Sequence, residues 1–436
     1  MKKLVIAEKP SVGRDIARVL GCKQQGKKYI EGNEYIVTWG LGHLVTLADP
    51  EGYDKKLKTW RMEDLPMMPE RFKLVVIPQT RGQFQAVKSL IERKDVAEII
   101  IATDAGREGE LVARWILAKA GNKKPLKRLW ISSVTDKAIR DGFAHLKNAK
   151  EYENLYHAAT ARAESDWLVG INATRALTCK YNAQLSCGRV QTPTLAMIAA
   201  REEEIRHFRP KPYYGLQLTG KGIIFTWKDK KSGSSATFSK EKNEEIYKNL
   251  SGKTAVVAEV KKTKKTSQAE GLYDLTDLSR DANQRFGFSA KQTLNIMQSL
   301  YEHHKVLTYP RTDSRYIGTD IVPTIKERLK ACNIGPYKKY IPELLKKPLK
   351  TSKTFVDDKK VSDHHAIIPT EEYVQMEHMS NNERKIYDLV VRRFISVLYP
   401  AFEYEQTTLK AEAAGETFTA KGKVIKAAGW KAVYAD

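Results

Sequence analysis

Two short runs of aliphatic residues, Lys3-Leu-Val-Ile-Ala7 and Glu98-Ile-Ile-Ile-Ala102, each give way within a few positions to a stretch of helical period, Val12 to Leu20 and Glu108 to Ala120. That alternation restricts the first 150 residues to an α/β arrangement, because strands linked through helices pair in parallel and need helices on their faces. Beyond it, from about Lys150 to Arg206, helical period dominates and is broken by the loop-like Ser186-Cys-Gly-Arg-Val-Gln191. Between Lys211 and about Val260 the composition turns to Thr, Val, Tyr and Phe punctuated by Gly, which predicts strands. Lys261-Lys-Thr-Lys-Lys265 reads as a solvated connector, the competing reading being a strip that faces phosphates. Leu275 to Phe286 predicts a helix stopped by Gly287; Ser289 with Gln292 then caps a second helix bearing Leu294, Met297, Leu300 and Tyr301, a helix-turn-helix-like unit. Strand-like alternation returns between Tyr399 and Tyr434.

A chain of 436 residues, 42% hydrophobic, is long enough for several cores. Its 75 Lys and Arg exceed its 52 Asp and Glu, a net charge of +23 that points to a polyanion, nucleic acid first, although a basic surface also serves solubility alone. Cys22, Cys179, Cys187 and Cys332 form no CxxC, which argues against a disulfide framework or a zinc ribbon and favours a reducing compartment. No apolar run reaches the roughly 18 residues of a membrane span. A cytoplasmic, nucleoid-associated protein is expected, with no membrane partner.

The chemistry-bearing residues follow the predicted strands. Thr103-Asp-Ala-Gly-Arg-Glu-Gly-Glu110 stands at a strand's carboxyl end, where open α/β sheets hold ligands, so Asp104 and Glu108 are candidates for a hard divalent cation such as Mg²⁺; an acidic turn capping the next helix fits the same residues equally well. Glu8 and Lys9 end the first strand, with Pro10 opening the helix, and would place a carboxyl and an ammonium at a phosphoryl centre or simply make a charged turn. In Thr308-Tyr-Pro-Arg-Thr-Asp-Ser314, Pro310 favours an extended Tyr309, which would put Tyr309 and Arg311 on one side. A tyrosine attacking phosphate needs such a cation and an acid for the leaving oxygen.

Together with Ala7-Glu-Lys-Pro-Ser11, Ser186-Cys-Gly-Arg-Val-Gln-Thr-Pro193 and Asp363-His-His-Ala-Ile-Ile-Pro-Thr370, these segments resemble, in order and over almost the whole chain, the type IA DNA topoisomerases, and within them the bacterial topoisomerase III branch. The resemblance implies a multi-domain α/β plus α plus β toroid: a TOPRIM domain over 1–150, the first part of a helical gate domain over 151–210, the first part of a β-rich hinge over 211–270, a helical domain with the catalytic tyrosine over 271–398 and the hinge's return over 399–436. It assigns Tyr309 as nucleophile, Glu8 as acid or base at the leaving 3′-oxygen, Arg311 as the transition-state cation, and Lys9 and His364 as supporting residues. Glu8, Asp104 and Glu108 are implied for Mg²⁺. A single-strand channel is implied at Trp60, at Arg162, Asp166, Trp167 and Arg175, and at Ser186, Cys187, Gly188, Arg189, Val190 and Gln191. Arg162, Asp166, Gly170 and Thr174 share a helix row, though an Arg162 to Asp166 pair fixing two helices, and core packing for Trp60, account for these residues as well. His365 is expected to pack.

The implied activity is ATP-independent cleavage and religation of one DNA strand through a 5′-phosphotyrosine, relaxing negative supercoils or decatenating DNA. No Walker A pattern is present. Single-stranded or negatively supercoiled DNA is the expected partner, with a helicase or recombination and repair proteins beside it, and no nucleotide cofactor. Two departures from the family pattern stand out: Gly106 replaces an acid of Asp-x-Asp-x-Glu, so a second Mg²⁺ lacks a ligand, and the chain ends soon after the hinge-like Ala428 to Tyr434, as expected of either a fragment or a short homologue with an incomplete ring. The alternatives are a non-catalytic single-strand-binding remnant and a TOPRIM-type nuclease.

Overall fold

The computed structural model describes residues 1–362 and 364–435. Asp363 of the fifth motif and Asp436, the end of the expected return segment, lie outside them. The chain divides into two compact units, one of Met1–Ile198 with Gly271–Phe394 and one of Ala199–Glu270 with the residues from Ile395 on.

The first unit is built on a seven-stranded sheet in the order β2-β3-β4-β1-β7-β8-β9. Its strands are β1 (Lys2–Ala7), β2 (Gln24–Gln25), β3 (Tyr29–Glu31), β4 (Tyr35–Trp39), β7 (Val96–Ala102), β8 (Leu126–Arg128) and β9 (Lys147–Asn148), with β5 (Val45–Leu47) and β6 (Leu74–Val76) as a separate antiparallel pair. The central β4, β1, β7 and β8 run parallel. Helices α1 (Pro10–Val19), α2 (Arg81–Ile91), α3 (Arg107–Ala120) and α4 (Asp136–Ala144) connect them. The apolar runs that predicted β1 and β7 are buried on both faces: Leu4, Ile6, Ile99 and Ile101 pack with Leu111, Trp115 and Ile116 of α3, while Val5, Ala7 and Ile100 pack with Val12 and Ile16 of α1. Opposite-facing cores of this kind hold the two strand ends in fixed register, Ala7 beside Ala102.

Helix α5 (Glu153–Tyr181) ends at Asn182 in the left-handed region, and α6 (Gln191–Arg206) follows the loop. Helix α8 (Leu275–Phe286) begins at Asp274, whose carboxylate accepts the Asp277 N–H, and stops at Gly287 with φ 71°; α9 (Ala290–Glu302) begins at Ser289, whose hydroxyl accepts the Gln292 N–H. The short α10 (Ile325–Ala331) and α11 (Ile341–Leu345) and the longer α12 (Asn381–Ser396), none of them read from the sequence, complete this unit's helices among the described residues.

In the second unit a five-stranded antiparallel sheet has the order β10-β11-β14-β13-β12: β10 (Gln217–Gly220), β11 (Ile223–Lys228), β12 (Val256–Ser267), β13 (Phe402–Ala413) and β14 (Glu416–Ala427). Two expectations are corrected here. The stretch read wholly as strands contains α7 (Lys240–Leu250), capped by the Ser239 hydroxyl, which packs Ile246 and Leu250 against Phe225, Trp227 and Phe418. Lys261 to Lys265 is no connector: it is paired strand within β12, held by backbone ladder bonds to β13 rather than by burial of its side chains. No helix among the described residues is long and apolar enough to cross a membrane.

His364 and His365 lie buried beside the extended segment Val306–Thr308, which bonds to Ile368 and Thr370. Burial holds the His365 imidazole down to about 4 and that of His364 to about 3, so both are neutral in the fold at pH 7. With folded values below the ordinary 6.5, the unfolded chain takes up these protons first; the stabilisation is complete above about pH 6.5 and declines towards pH 4 at about 1.4 kcal/mol per pH unit per histidine. Urea unfolding midpoints should therefore fall between pH 7 and pH 4.5, and His365→Gln should flatten that slope by one histidine's share; an unchanged slope contradicts the assignment.

Candidate active site

Glu8 and Asp104 leave the carboxyl ends of the paired strands β1 and β7, and the Asp104 N–H donates to Glu8 Oε2 at 3.0 Å. Burial raises both carboxyls above the usual carboxylate range, and the charge of Asp104 adds to the effect on Glu8. The turn that carries Asp104 is fixed from beneath. Arg128 and Glu110, both fully buried, pair at 2.5 Å, and the Arg128 guanidinium donates to the carbonyls of Ile101, Thr103, Leu129 and Asp104, the last at 2.6 Å. Thr103 Oγ1 donates to the Gly109 carbonyl at 2.8 Å. Gly109 lies so close that a Cβ there would stand 2.0 Å from the Asp104 carbonyl oxygen.

Tyr309 enters from the segment after α9. Its backbone N–H donates to the Ser132 carbonyl at 3.2 Å, its ring stacks on His364 at 4.2 Å and meets Tyr301 edge-on at 5.5 Å, and its phenol faces the Asp104 carboxyl. Burial, then the charges of Asp104 and Glu8, push the phenol well above its ordinary value, against the opposing effect of Arg311. The exposed Arg311 and Lys9, Gln298, Arg162 and His364 line the same cavity of about 670 Å³. Lys9 is anchored by Glu302 at 2.7 Å, and Gln298 donates to the same carboxylate. Neutral His364, its Nδ1 buried without a partner among the described residues, offers the site a ring face and no charge.

Glu108 lines the same cavity as Glu8 and Asp104, but its carboxylate is paired elsewhere. The first turn of α3 turns it towards Arg162, at 3.2 Å, and His43, at 3.8 Å, and the His43 contact is the main influence holding its carboxyl below the usual range. Among the described residues no three His, Cys, Asp or Glu side chains are placed to share a metal ion. Two adjacent carboxylates at a strand end, burdened by each other's charge, nonetheless suit one hard divalent cation completed by phosphate oxygens.

Arg162 and Asp166 are surface residues rather than a buried pair: their closest approach is 4.0 Å, and Asp166 instead binds Arg189 at 2.5 Å. Arg162, Asp166 and Trp167 line a second cavity of about 530 Å³ with His43 and Glu108. Loop 182–190 folds back on α5, where Thr174 Oγ1 bonds to the N–H and carbonyl of Cys187. Gly188 N–H donates to Thr192 Oγ1, while Ser186, Arg189, Val190 and Gln191 are exposed. Trp167 is a packing residue, donating to the Ala48 carbonyl between Tyr53 and Phe72. Arg175 is buried, donates to the Leu57 carbonyl at 2.6 Å and lies 5.0 Å over the ring of Trp60, which stays 45% exposed. Sequence reasoning missed Glu110, Arg128, Gln298, Glu302 and His43. A charged Arg128 at the end of a short strand and the i, i+4 pair Gln298 and Glu302 were the available signals. Gly109→Ala should displace the Asp104 turn, costing about 1–3 kcal/mol in urea unfolding, and should separate Asp104 from Glu8; wild-type stability would contradict the close-approach argument.

A family model described as DNA topoisomerase matches residues 150–436, and one described as Toprim domain matches residues 3–134. DNA topoisomerase 3 of Bacillus subtilis (strain 168) is 63% identical over 433 residues, 99% of this chain and 60% of the relative. DNA topoisomerase 3 of Bacillus cereus (strain ATCC 14579) is 64% identical over 434 residues, 99% of this chain and 59% of the relative. The chain thus spans about 60% of the length of the curated relatives it matches. The structure of full-length topoisomerase I from Thermotoga maritima shares the fold, with a TM-score of 0.71 at 23% identity over 99% of this chain and 67% of that one. The strand-end carboxylates therefore sit in a Toprim domain, and the chain belongs to the type IA DNA topoisomerase family.

Proposed function

We propose that the chain carries the cleavage and religation centre of an ATP-independent, topoisomerase III-like enzyme, with Tyr309 as the nucleophile. The observation that carries this reading is the Tyr309 phenol held against Asp104 and beside Glu8 in a cavity that Arg311 also lines. The phenol is protonated at rest, and the Asp104 carboxylate that faces it takes up its proton. As the Tyr309 oxygen bonds to phosphorus and the bond from phosphorus to the 3′-oxygen breaks, Arg311 offsets the charge on the phosphoryl oxygens. Glu8, whose raised affinity for its proton suits an acid, protonates the leaving 3′-oxygen; in religation the 3′-hydroxyl returns that proton and displaces the phenol. The phosphodiester energy is conserved in the 5′-phosphotyrosine, so no ATP is consumed.

Glu8 and Asp104 would hold Mg²⁺, which supplies charge neutralisation where carboxylates and phosphate meet; Gly106 limits the site to few protein ligands. Arg162 and Arg189 serve the strand's phosphates, Trp60 is the exposed aromatic, and Trp167 and Arg175 shape the wall behind it. The domain reading is TOPRIM over 1–150, gate over 151–210, hinge over 211–270 and 399–436, and the tyrosine domain over 271–398. The partners on this reading are single-stranded or negatively supercoiled DNA and the cytoplasmic helicase, recombination or repair proteins that expose single strands.

Incubated with labelled single-stranded DNA and Mg²⁺ and then denatured, the wild-type chain should retain a DNA adduct. Tyr309→Phe should lose it while keeping its fold and noncovalent binding. An undiminished adduct in that variant contradicts the assignment, and free DNA ends without adduct mark a nuclease.

A further inference from the structure

The lysine-rich Lys261 to Lys265 plays no part in the site above, and none of its residues lines the Tyr309 cavity. Its place in the three-stranded ribbon β12–β13–β14 sorts its charges. Residues directly opposite one another in an antiparallel ladder share a face, and the next pair along lies on the other. The register sets Lys261 beside Thr408 and Thr408 beside Lys421, then Thr263 beside Gln406 and Gln406 beside Lys423, then Lys265 beside Tyr404. The alternate rows set Lys264 beside Glu405, Lys262 beside Thr407, and Thr266 beside Glu403.

One face therefore carries Lys261, Lys265, Lys421 and Lys423, with no carboxylate between them and Glu259 next beyond Lys261 at its edge, whereas on the other Lys262 and Lys264 stand with Glu405 and Glu403, and Lys262 reaches Glu405 at 3.7 Å. Folding has divided a mixed sequence into a face of four lysines and a face whose charges balance. All four lysines of the first face are exposed, and none makes an ion pair among the described residues; Lys423 lies 5.0 Å over the ring of Tyr404. The strip ends at Glu259, opposite Lys410, which itself pairs with Glu412 at 2.9 Å. Like charges placed together on a sheet destabilise it unless something neutralises them. Along one strand alternate residues lie about 7 Å apart and the outer strands about 10 Å apart, so the four lysines form a patch, two on β12 and two on β14, whose spacings are on the scale of a nucleic-acid phosphate repeat, with Gln406 and Thr408 of β13 as neutral hydrogen-bonding groups between them.

We propose that this face of the ribbon is a second nucleic-acid docking surface, which grips a phosphodiester backbone through Lys261, Lys265, Lys421 and Lys423. It takes DNA as ligand from the proposed function but does not depend on covalent chemistry. The test compares two doubles of equal charge change in the whole 436-residue chain: Lys261→Gln with Lys421→Gln on the lysine face, and Lys262→Gln with Lys264→Gln on the balanced face. Fluorescence anisotropy with a labelled single-stranded oligonucleotide and with its duplex, across a salt series, reads both. The lysine-face double should lower the slope of log affinity against log salt by about 1.4 on the single strand and about 1.8 on the duplex, a loss of roughly 25-fold on the single strand at about 0.1 M salt. The balanced-face double should bind like wild type, and Lys261→Arg with Lys421→Arg should keep the affinity. An arm whose slope falls by its full expected amount is the form of nucleic acid held, and an arm whose slope is unchanged is not. Equal losses from both faces would reduce the effect to net charge and overturn the proposal, as would no loss from either. A face-specific loss in a chain that forms no covalent adduct would support the surface and overturn the Tyr309 chemistry, so the two readings fail separately.

Discussion

A fully buried guanidinium governs where the reactive groups stand. Arg128 pairs with Glu110 and donates to four carbonyls around the end of β7. Removing either partner of such a pair strands the other charge in the interior at a cost of about 3–5 kcal/mol. The pair is therefore less a source of net stability than a constraint: the Asp104 backbone has one position in which every donor of Arg128 is satisfied. From there the Asp104 N–H reaches Glu8, and the α3 backbone approaches closely enough to require Gly109.

That rigidity lets two carboxyls stand together against their own repulsion and meet a phenol delivered by a distant segment. Tyr309 is held by backbone bonding to Ser132, by its stack on a neutral His364 and by the Asp104 carboxyl. Each contact lies on a different element, so the tyrosine is placed by the docking of its segment rather than by its own turn. Lys9 bound to Glu302 and Lys305 bound to Asp15 at 2.8 Å join the same two segments by ion pairs. The Tyr309 segment and the strand ends are thus joined by these ion pairs together with the packing of Tyr301 and Tyr309 against the apolar cluster of Val5, Ala7 and Ala102.

What was legible in the sequence was local. β1, β7, the turn acids and the caps of α8 and α9 announce themselves within a few residues, since burial on both faces and capping are encoded by neighbours. The partners of Arg128, the anchoring of Lys9 and the diversion of Glu108 towards His43 depend on residues far apart in the chain, and spacing carries no signal for them. The lysine stretch of β12 was misread for another reason: it has solvent on both sides, so no apolar alternation marks it, and only pairing with β13 makes it a strand. Helix α7 was hidden by its polarity, with Ile246 its one buried residue.

The central claim is that one phenol, Tyr309, becomes covalently bonded to DNA at its 5′ side. Mass spectrometry of the protease-digested adduct reads this directly. The account predicts a peptide containing Tyr309 that carries a nucleotide through its 5′-phosphate, leaving a free 3′-hydroxyl on the released strand. A nucleotide on any other residue, or a linkage through a 3′-phosphate, would contradict it.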